Sequence, residues 1–583
     1  MKAFALFGTL VVARLLVVTG RELPASAWTP VALFWQDALV ALLFGVAERV
    51  RRRNTAIIGA AFWTIVAYTA VNVALARVLS SPLTWPMIHA TGGALADSIR
   101  HYLTPGNIAL MSTVGLVAGL LVVVARKFRP EWTRWGLGSL IVLVIFGAAG
   151  SRRIDCGGWH RNALVALVDS ALPHVRRSFD GASGDWRSAT APANAAADLT
   201  ALRGAAQRRH VVMIGLESTG TRALRCYGAK DDPTPNLTRL AATSVLFENA
   251  YAVYPESIKG LFSVLCSRYP AFDTRAEDYA RLETPSVAEV LARAGWRTAL
   301  FHSGRFQYLG MNAVIQGRGF ETLVDAGGIS GNFNSSFGVD ESATVEHMLA
   351  WIDGLPPGQQ FFLHYLPIAG HHPYETPAPG PFPESTDASQ YLNALHFGDA
   401  ALGRFLDGLR ARGLETDTLF VLYGDHGEAF GQHEGNYGHT LFLYEENVRV
   451  PLLFAVPGAR ATEMRVRRTA SLIDIAPTLL DVLGVDAPAD YQGVSLLEPR
   501  ERAALFFTDY SLPLVGLRDG RWKLIAELGT AHARLFDLDV DPQETRNVAG
   551  LNVPQVDAWR RQLEGWVAAQ KALVLRRDLA TRE

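Results

Sequence analysis

Apolar and polar positions follow two different rules along this chain. Up to about residue 150, long and nearly unbroken apolar runs occupy 4–20, 31–46, 56–79, 108–124 and 137–149. A membrane-spanning helix needs about 20 such residues at roughly 1.5 Å rise each, so the pattern predicts about five membrane helices. Several runs follow the first one, which argues against a cleaved signal peptide. From about residue 208 the runs shorten to strand length, at 211–216, 297–302, 361–366, 419–423 and 451–456. Helical patterns at 287–294, 344–353 and 392–410 separate them, which predicts an α/β unit with a largely parallel sheet. Between the two regimes, apolar Leu164, Val165, Leu167, Val168 and Leu172 within 161–173 suit a helix lying at the membrane surface. The stretch 178–207 is rich in Ala, Ser, Gly and Asp and reads as a linker. The expected organisation is a transmembrane domain at 1–150, a juxtamembrane helix and linker at 151–207, a catalytic domain at 208–550 and a C-terminal helix at 551–583.

Charge refines this picture. Arg49, Arg51, Arg52 and Arg53 follow the second run, and Arg126, Lys127, Arg129 and Arg134 follow the fourth, whereas the loop 80–107 carries only Arg100. The positive-inside bias places both basic loops and the N-terminus in the cytoplasm, so five spans deliver the α/β unit outside. Trp28, Trp35, Trp85, Trp132 and Trp135 stand near run ends, where interfacial anchors belong. A net charge of −1 and the lack of a basic stripe in the second unit exclude a nucleic-acid partner. The three cysteines, Cys156, Cys226 and Cys266, have no zinc-site spacing; Cys226 and Cys266 either pair outside the cytoplasm or stay separate thiols.

The candidate chemistry collects after strands. Glu217 follows the first strand, Asp425 and His426 follow the fourth, and His371 and His372 stand shortly after the third. Ligands in open α/β sheets bind beyond the carboxyl ends of strands. Ser257 opens a helical pattern of Ile258, Leu261, Phe262 and Leu265, with Pro255 and Glu256 just ahead. It stands at a helix N-terminus, where free N–H groups favour an anion; the alternative is a plain capping serine. Carboxylate, imidazole and hydroxyl together suit zinc or manganese better than calcium, which prefers an all-oxygen shell.

Several ordered motifs then resemble the sulfatase family. They are Gly424-Asp425-His426-Gly427-Glu428 through Gly431-Gln432-His433, the run Tyr444-Glu445-Glu446-Asn447-Val448-Arg449-Val450-Pro451, and Ser471-Leu472-Ile473-Asp474. Arg521-Trp522-Lys523-Leu524 with Leu535-Phe536-Asp537-Leu538 resembles the C-terminal sulfatase subdomain. The resemblance covers about 208–550. It implies a multi-pass helical membrane domain followed by an alkaline-phosphatase/sulfatase-like α/β domain with a smaller C-terminal subdomain. Sulfatases that convert their nucleophile to formylglycine carry a C/S-x-P-x-R motif. Here the residues are Ser257-Ile258-Lys259-Gly260-Leu261, so an unmodified serine is expected.

Gly215-Leu216-Glu217-Ser218-Thr219 resembles instead the lipoteichoic acid synthases and phosphoethanolamine transferases, which keep a single glutamate there, use a hydroxyl nucleophile and have five membrane helices. By that resemblance Glu217, Ser257, Asp425 and His426 are the metal ligands for one divalent ion. Ser257 is the nucleophile. His371, in a His-x-Pro-Tyr-like element, assists catalysis, and His372, His439 and His433 contact substrate. The implied activity is metal-dependent transfer of a phospho-alcohol group, of phosphoglycerol or phosphoethanolamine type, through a phospho-serine. The alternative is a sulfatase-like hydrolase of sulfate or phosphate esters at the same site. A lipid-linked or envelope-glycan substrate at the inner (plasma) membrane follows from the anchor, with the catalytic domain extracytoplasmic.

Overall fold

The computed structural model describes residues 2–51, 54–90, 102–127, 130–174, 185–189, 197–331, 338–458 and 464–580. Arg52, Arg53, Arg100 and Arg129, used above for orientation, lie outside them. The five apolar runs fall on the helices Lys2–Val18, Thr29–Val50, Thr55–Leu79, Pro105–Ala125 and Pro130–Ser151. Among the described residues, three of these, Thr29–Val50, Thr55–Leu79 and Pro105–Ala125, are long and apolar enough to cross a membrane. A buried ion pair joins the first two helices: Arg14 Nη2 lies 2.9 Å from Asp37 Oδ1. Arg14 Nη1 also donates to the carbonyls of Trp159 (2.8 Å) and Arg161 (2.6 Å), and Asn162 Nδ2 donates to Asp37 Oδ1 at 2.7 Å. A charged pair among apolar helices is tolerated only when its hydrogen-bonding capacity is met. Here the pair also ties the segment after the last long helix back onto the bundle. Within that segment the expected surface helix is the short element Ala163–Ser170.

The stretch expected to be a linker is anchored to the α/β unit at several of its described residues. Arg187 forms a bidentate pair with Asp474, at 2.5 and 2.7 Å, and Arg187 is fully buried. Ser188 bridges to Arg502, Leu199 and Ala206 enter the main core, and Leu199 N donates to the Leu497 carbonyl. Ala- and Ser-rich composition resembled a flexible tether, but small side chains equally suit close packing on a preformed surface.

The second unit holds a nine-stranded sheet. Its strands are β1 (His210–Leu216), β2 (Val245–Tyr251), β3 (Arg297–His302), β4 (Thr322–Val324), β5 (Phe361–Leu366), β6 (Thr418–Gly424), β7 (Leu452–Ala455) and β8 (Met464–Ser471), with Arg449–Val450 added beside β2. The order is β8-β2-β7-β6-β1-β5-β3-β4. Strand β1 pairs in parallel with β5 and β6, while β7 runs antiparallel to β6 and to β2. Two reversals leave β2 parallel to β6, so β1, β2, β5 and β6 all end at one edge. Helices cover both faces: Val211 and Met213 point into one core cluster, Val212 and Ile214 into the other. Burial on both faces is why β1 reads as a continuous apolar run rather than an alternating one.

A smaller antiparallel sheet follows, β9 (Ala504–Thr508), β10 (Leu514–Asp519), β11 (Trp522–Glu527) and β12 (Ala533–Asp537), in sequence order. The helix Val553–Ala580 packs Trp559, Leu563, Trp566 and Val567 against it. The three cysteines are buried free thiols, so of the two readings for Cys226 and Cys266 the separate-thiol one holds.

The two regions touch at several polar points. Ser81 Oγ lies 2.5 Å from Ser511 Oγ, Thr84 Oγ1 donates to the Tyr510 carbonyl at 2.7 Å, and Arg161 Nη1 donates to Ser511 Oγ at 2.7 Å. Arg534 Nη2 meets Asp155 Oδ2 at 2.7 Å.

Candidate active site

Sheet register builds the site. Leu216 at the end of β1 pairs with Gly424 at the end of β6, so Glu217 and Asp425 leave the sheet side by side. Asp425 Oδ1 accepts from the N–H groups of Ser218 (2.9 Å) and His426 (2.8 Å), which fixes its carboxylate plane. Ser218 takes a left-handed conformation (φ 52°) to present that N–H, a strained choice for a residue with a Cβ. Gly427 is required by crowding: a Cβ there would stand 2.1 Å from the Glu446 carbonyl oxygen. At Gly370 (φ +103°) a Cβ would stand 2.6 Å from the Glu217 carbonyl oxygen, so this glycine lets the His371 loop close over Glu217.

Ser257 is the first residue of the helix Ser257–Cys266, reached from β2. Its hydroxyl donates to Glu217 Oε2 at 3.0 Å and stands 3.2 Å from His426 Nε2. His426 Nε2 is 3.4 Å from Asp425 Oδ2 and 3.6 Å from Glu217 Oε1. His426 Nδ1 donates to its neighbour Gly427's carbonyl at 3.0 Å, which leaves the Nε2 lone pair facing the serine and both carboxylates. Glu217, Ser257, Asp425 and His426, drawn from widely separated parts of the chain, therefore meet at one point.

This donor set fits a divalent cation. Glu217, Asp425 and His426 offer ligand atoms within 4.8 Å of one another. Burial pushes the Asp425 carboxyl up to about 7. Burial and then Asp425 push Glu217 upward, while burial and then His439 hold His426 down to about 4. Two buried carboxylates without a cation repel each other, and a bound cation reverses that. Below about pH 7 a proton on Asp425 competes with the ion, so apparent metal affinity should weaken on the order of tenfold per pH unit there. Titration calorimetry in two buffers at about pH 6 and about pH 8 should show near one proton released at the lower pH and less at the higher. Equal affinity and proton release at both would contradict this.

The structure corrects one expectation about the helix. Glu256, not Ser257, is its cap: the Glu256 carboxylate accepts from Ile258 N (3.0 Å) and Lys259 N (3.1 Å). Those N–H groups are already satisfied by an anion of the chain itself. The helix end therefore does not supply the free anion hole expected of it. Positive potential for an anionic group would therefore have to come from elsewhere, and a cation held by Glu217, Asp425 and His426 could supply it.

Of the other histidines, His439 joins the site. Its ring stacks on His426 at 3.9 Å between centroids, and its Nδ1 donates to Glu428 Oε2 at 2.7 Å. Burial holds His439 down to about 4, so it is a neutral imidazole at neutral pH. His371 Nδ1 donates to the His372 carbonyl at 2.6 Å, and its ring meets Tyr308 edge-on at 6.2 Å. His372 stacks on Tyr102 instead, with centroids 5.4 Å apart. His433 is not brought into the cluster. Its Nδ1 lies 2.6 Å from Glu446 Oε1, its Nε2 3.2 Å from the Glu544 carbonyl, and its ring stacks on Tyr444 at 3.6 Å. There it joins the main domain to the C-terminal subdomain. The resemblance made it a substrate contact; the structure seats it against Glu446, Glu544 and Tyr444 instead.

Three supporting residues had no role in the sequence reading. Glu428 orients both His439 and Tyr374, whose hydroxyl donates to Glu428 Oε1 at 2.7 Å. Lys259, two residues past the nucleophile, pairs at 3.1 Å with Asp509 Oδ1, which also accepts from Tyr254 at 2.7 Å. Glu428 was visible in the quoted motif without a function attached. Asp509 carried no local signal, because its partners are 250 or so residues away.

The fold and site define an α/β scaffold that gathers a serine hydroxyl, two carboxylates and an imidazole at the carboxyl edge of its sheet. Residues 209–485 match the Sulfatase family model, and residues 433–571 match that of the N-sulphoglucosamine sulphohydrolase C-terminal region. The chain carries a sulfatase-like domain at 209–485. Lipoteichoic acid synthase 2 of Bacillus subtilis is 23% identical over 521 residues, covering 81% of this chain and 78% of that protein. Arylsulfatase K of Mus musculus is 29% identical over 238 residues, covering 36% of this chain and 42% of that one. A Vibrio parahaemolyticus protein of the alkaline phosphatase superfamily shares the fold, with a TM-score of 0.54 at 23% identity over 63% of this chain and 87% of that one.

Proposed function

We propose that the chain is a membrane-anchored, metal-dependent transferase that moves a phospho-alcohol group, of phosphoglycerol or phosphoethanolamine type, through a phospho-serine at Ser257. The observation that carries this is the meeting of the Ser257 hydroxyl with Glu217 and His426 at 3.0 and 3.2 Å, beside Asp425. The lengthwise match to a lipoteichoic acid synthase supports transfer, because it spans the helical region as well as the α/β domain. The five long N-terminal helices are read as five spans with the N-terminus inside and the catalytic domain outside, at the plasma membrane. The proposed substrate is lipid-linked or an envelope glycan.

Zinc or manganese held by Glu217, Ser257, Asp425 and His426 would supply Lewis-acid polarisation of the ester and stabilise the serine oxyanion. The chain's own groups then divide the work. Ser257 passes its proton toward Glu217 Oε2, the acceptor it already faces, as its oxygen bonds to phosphorus. The bond from phosphorus to the departing alkoxide breaks, and a histidine, assigned here as His371, gives that oxygen a proton. His371 Nδ1 is engaged with the His372 carbonyl, so Nε2 is the exchanging nitrogen. His439 and His372 contact the transferred group. In the second half an acceptor alcohol returns a proton to the histidine as its oxygen bonds to phosphorus; the bond from phosphorus to Ser257 Oγ breaks, and Oγ takes back the proton held at Glu217.

A hydrolase of sulfate or phosphate esters is the second reading, favoured by the C-terminal match to a sulphohydrolase model and by the arylsulfatase K likeness. Incubating the full chain in detergent with phosphatidylglycerol, phosphatidylethanolamine, an aryl phosphodiester and an aryl sulfate separates the two. Transfer predicts diacylglycerol release and an acid-stable phospho-alcohol adduct on the peptide containing Ser257. Turnover of aryl sulfate alone, or formylglycine at residue 257, would overturn it.

A further inference from the structure

A residue from the membrane-anchored region reaches the edge of the catalytic site. Tyr102, three residues ahead of the helix Pro105–Ala125, lies flat on His372, with ring centroids 5.4 Å apart and planes within 6°. Its carbonyl accepts from Asn107 Nδ2 at 2.8 Å, which fixes the tyrosine to the first turn of that helix. His372 also meets Tyr374 edge-on, at 5.3 Å and 81°. From there contacts run unbroken to the nucleophile. Tyr374 donates to Glu428 at 2.7 Å, Glu428 accepts from His439 at 2.7 Å, His439 stacks on His426 at 3.9 Å, and His426 stands 3.2 Å from Ser257 Oγ. His371, meanwhile, takes its ring orientation from the His372 carbonyl at 2.6 Å.

Geometry makes this more than surface packing. An aromatic pair within 6° of coplanarity restricts both rings in a way that bulk contact does not. The contact joins parts of the chain 270 residues apart, one in the helical region and one in the loop that closes over Glu217 through Gly370. The Ser81–Ser511 and Thr84–Tyr510 hydrogen bonds hold the same two regions together at a second place, beside Asp509. Burial, then Asp387 and Glu428, push the Tyr102 phenol up to about 12, so it remains a neutral ring.

We infer that Tyr102 is a positioning residue for the active site: by stacking on His372 it orients the His371–His372 turn, so that the site is completed by the membrane-anchored region. This rests on the reading of His371 as the group that protonates the leaving oxygen. The test uses the full metal-loaded chain in detergent, with an aryl phosphodiester as probe and Tyr102→Ala, Tyr102→Leu and Tyr102→Phe as variants. Misplacing a catalytic group by a fraction of an ångström should lower kcat by about tenfold in Tyr102→Ala and Tyr102→Leu, with KM changed by less than about twofold. Tyr102→Phe keeps the ring and should restore kcat. Hydrogen exchange of peptides covering 368–374 should quicken in the Ala and Leu variants and return to the wild-type rate in Phe, at unchanged melting temperature. Wild-type kcat together with wild-type exchange in Tyr102→Ala would overturn the inference, as would equal loss in Ala and Phe. The exchange comparison needs no turnover, so if the wild type releases no diacylglycerol from the lipid donors the transferase reading falls, while exchange alone decides the role of Tyr102.

Discussion

Ser257→Ala should cut turnover by on the order of 10³-fold or more, with no adduct trapped at that peptide and an unchanged melting temperature. In the proposed mechanism its hydroxyl forms the covalent intermediate, while Glu217, Asp425 and His426 hold the cation. The substitution removes a single oxygen whose partners at 3.0 and 3.2 Å are themselves held elsewhere, Glu217 by Ser218 Oγ and His426 by the Gly427 carbonyl. The fold should therefore survive. Single-turnover assays with the lipid donor check the rate, and circular dichroism checks the fold. Retention of more than about a tenth of wild-type turnover would remove Ser257 from the chemistry and, with it, the proposed transfer mechanism.

The largest expected effect on stability lies far from the catalytic centre. Arg187→Ala should destabilise the α/β unit by about 3–5 kcal/mol, because it strands a buried carboxylate. Asp474 is fully buried, takes both guanidinium contacts at 2.5 and 2.7 Å, and also accepts from Ser471 N (3.0 Å) and Val494 N (2.9 Å). Arg187→Lys should recover only part of the loss, since an ammonium cannot make the paired contact or reach the Ala503 carbonyl at the same time. Urea titrations followed by tryptophan fluorescence measure it. A loss below about 1 kcal/mol would mean that water enters beside Asp474, and the segment 185–189 would revert to a tether.

The comparison of sequence and structure is instructive where the two part. Strands β3 and β5 were legible to the residue, because both are short β-branched or aromatic runs bounded by turn formers. Glu217, Asp425, His426 and Ser257 were legible as types that sulfatase-like motifs would unite. The Glu256 cap was hidden because Ser257 is itself a good capping residue, and only backbone angles distinguish which of two neighbours lies outside the helix. His433 stands apart from the Ser257 cluster, held by Glu446 and the Glu544 carbonyl, partners that no local pattern records. The packed pieces of 178–207 were misread because composition reports the chain's own preference and is silent about the surface waiting for it.

Residue order alone determined the division into apolar helices and an α/β unit, since burial in lipid and burial between helix layers each impose a pattern on consecutive positions. It determined too which residue types stand at strand ends. Only the tertiary structure decided that β6, β1 and β5 are neighbours, and that β7 turns β2 back into the same direction. Convergence of Ser257 on Glu217 depends on that order, because hydrogen-bond pairing between distant strands leaves no trace in either strand's own pattern. The contact between Tyr102 and His372 was decided the same way: nothing in the segment around Tyr102 points to that histidine, and what joins them is the packing of the helical region on the α/β unit.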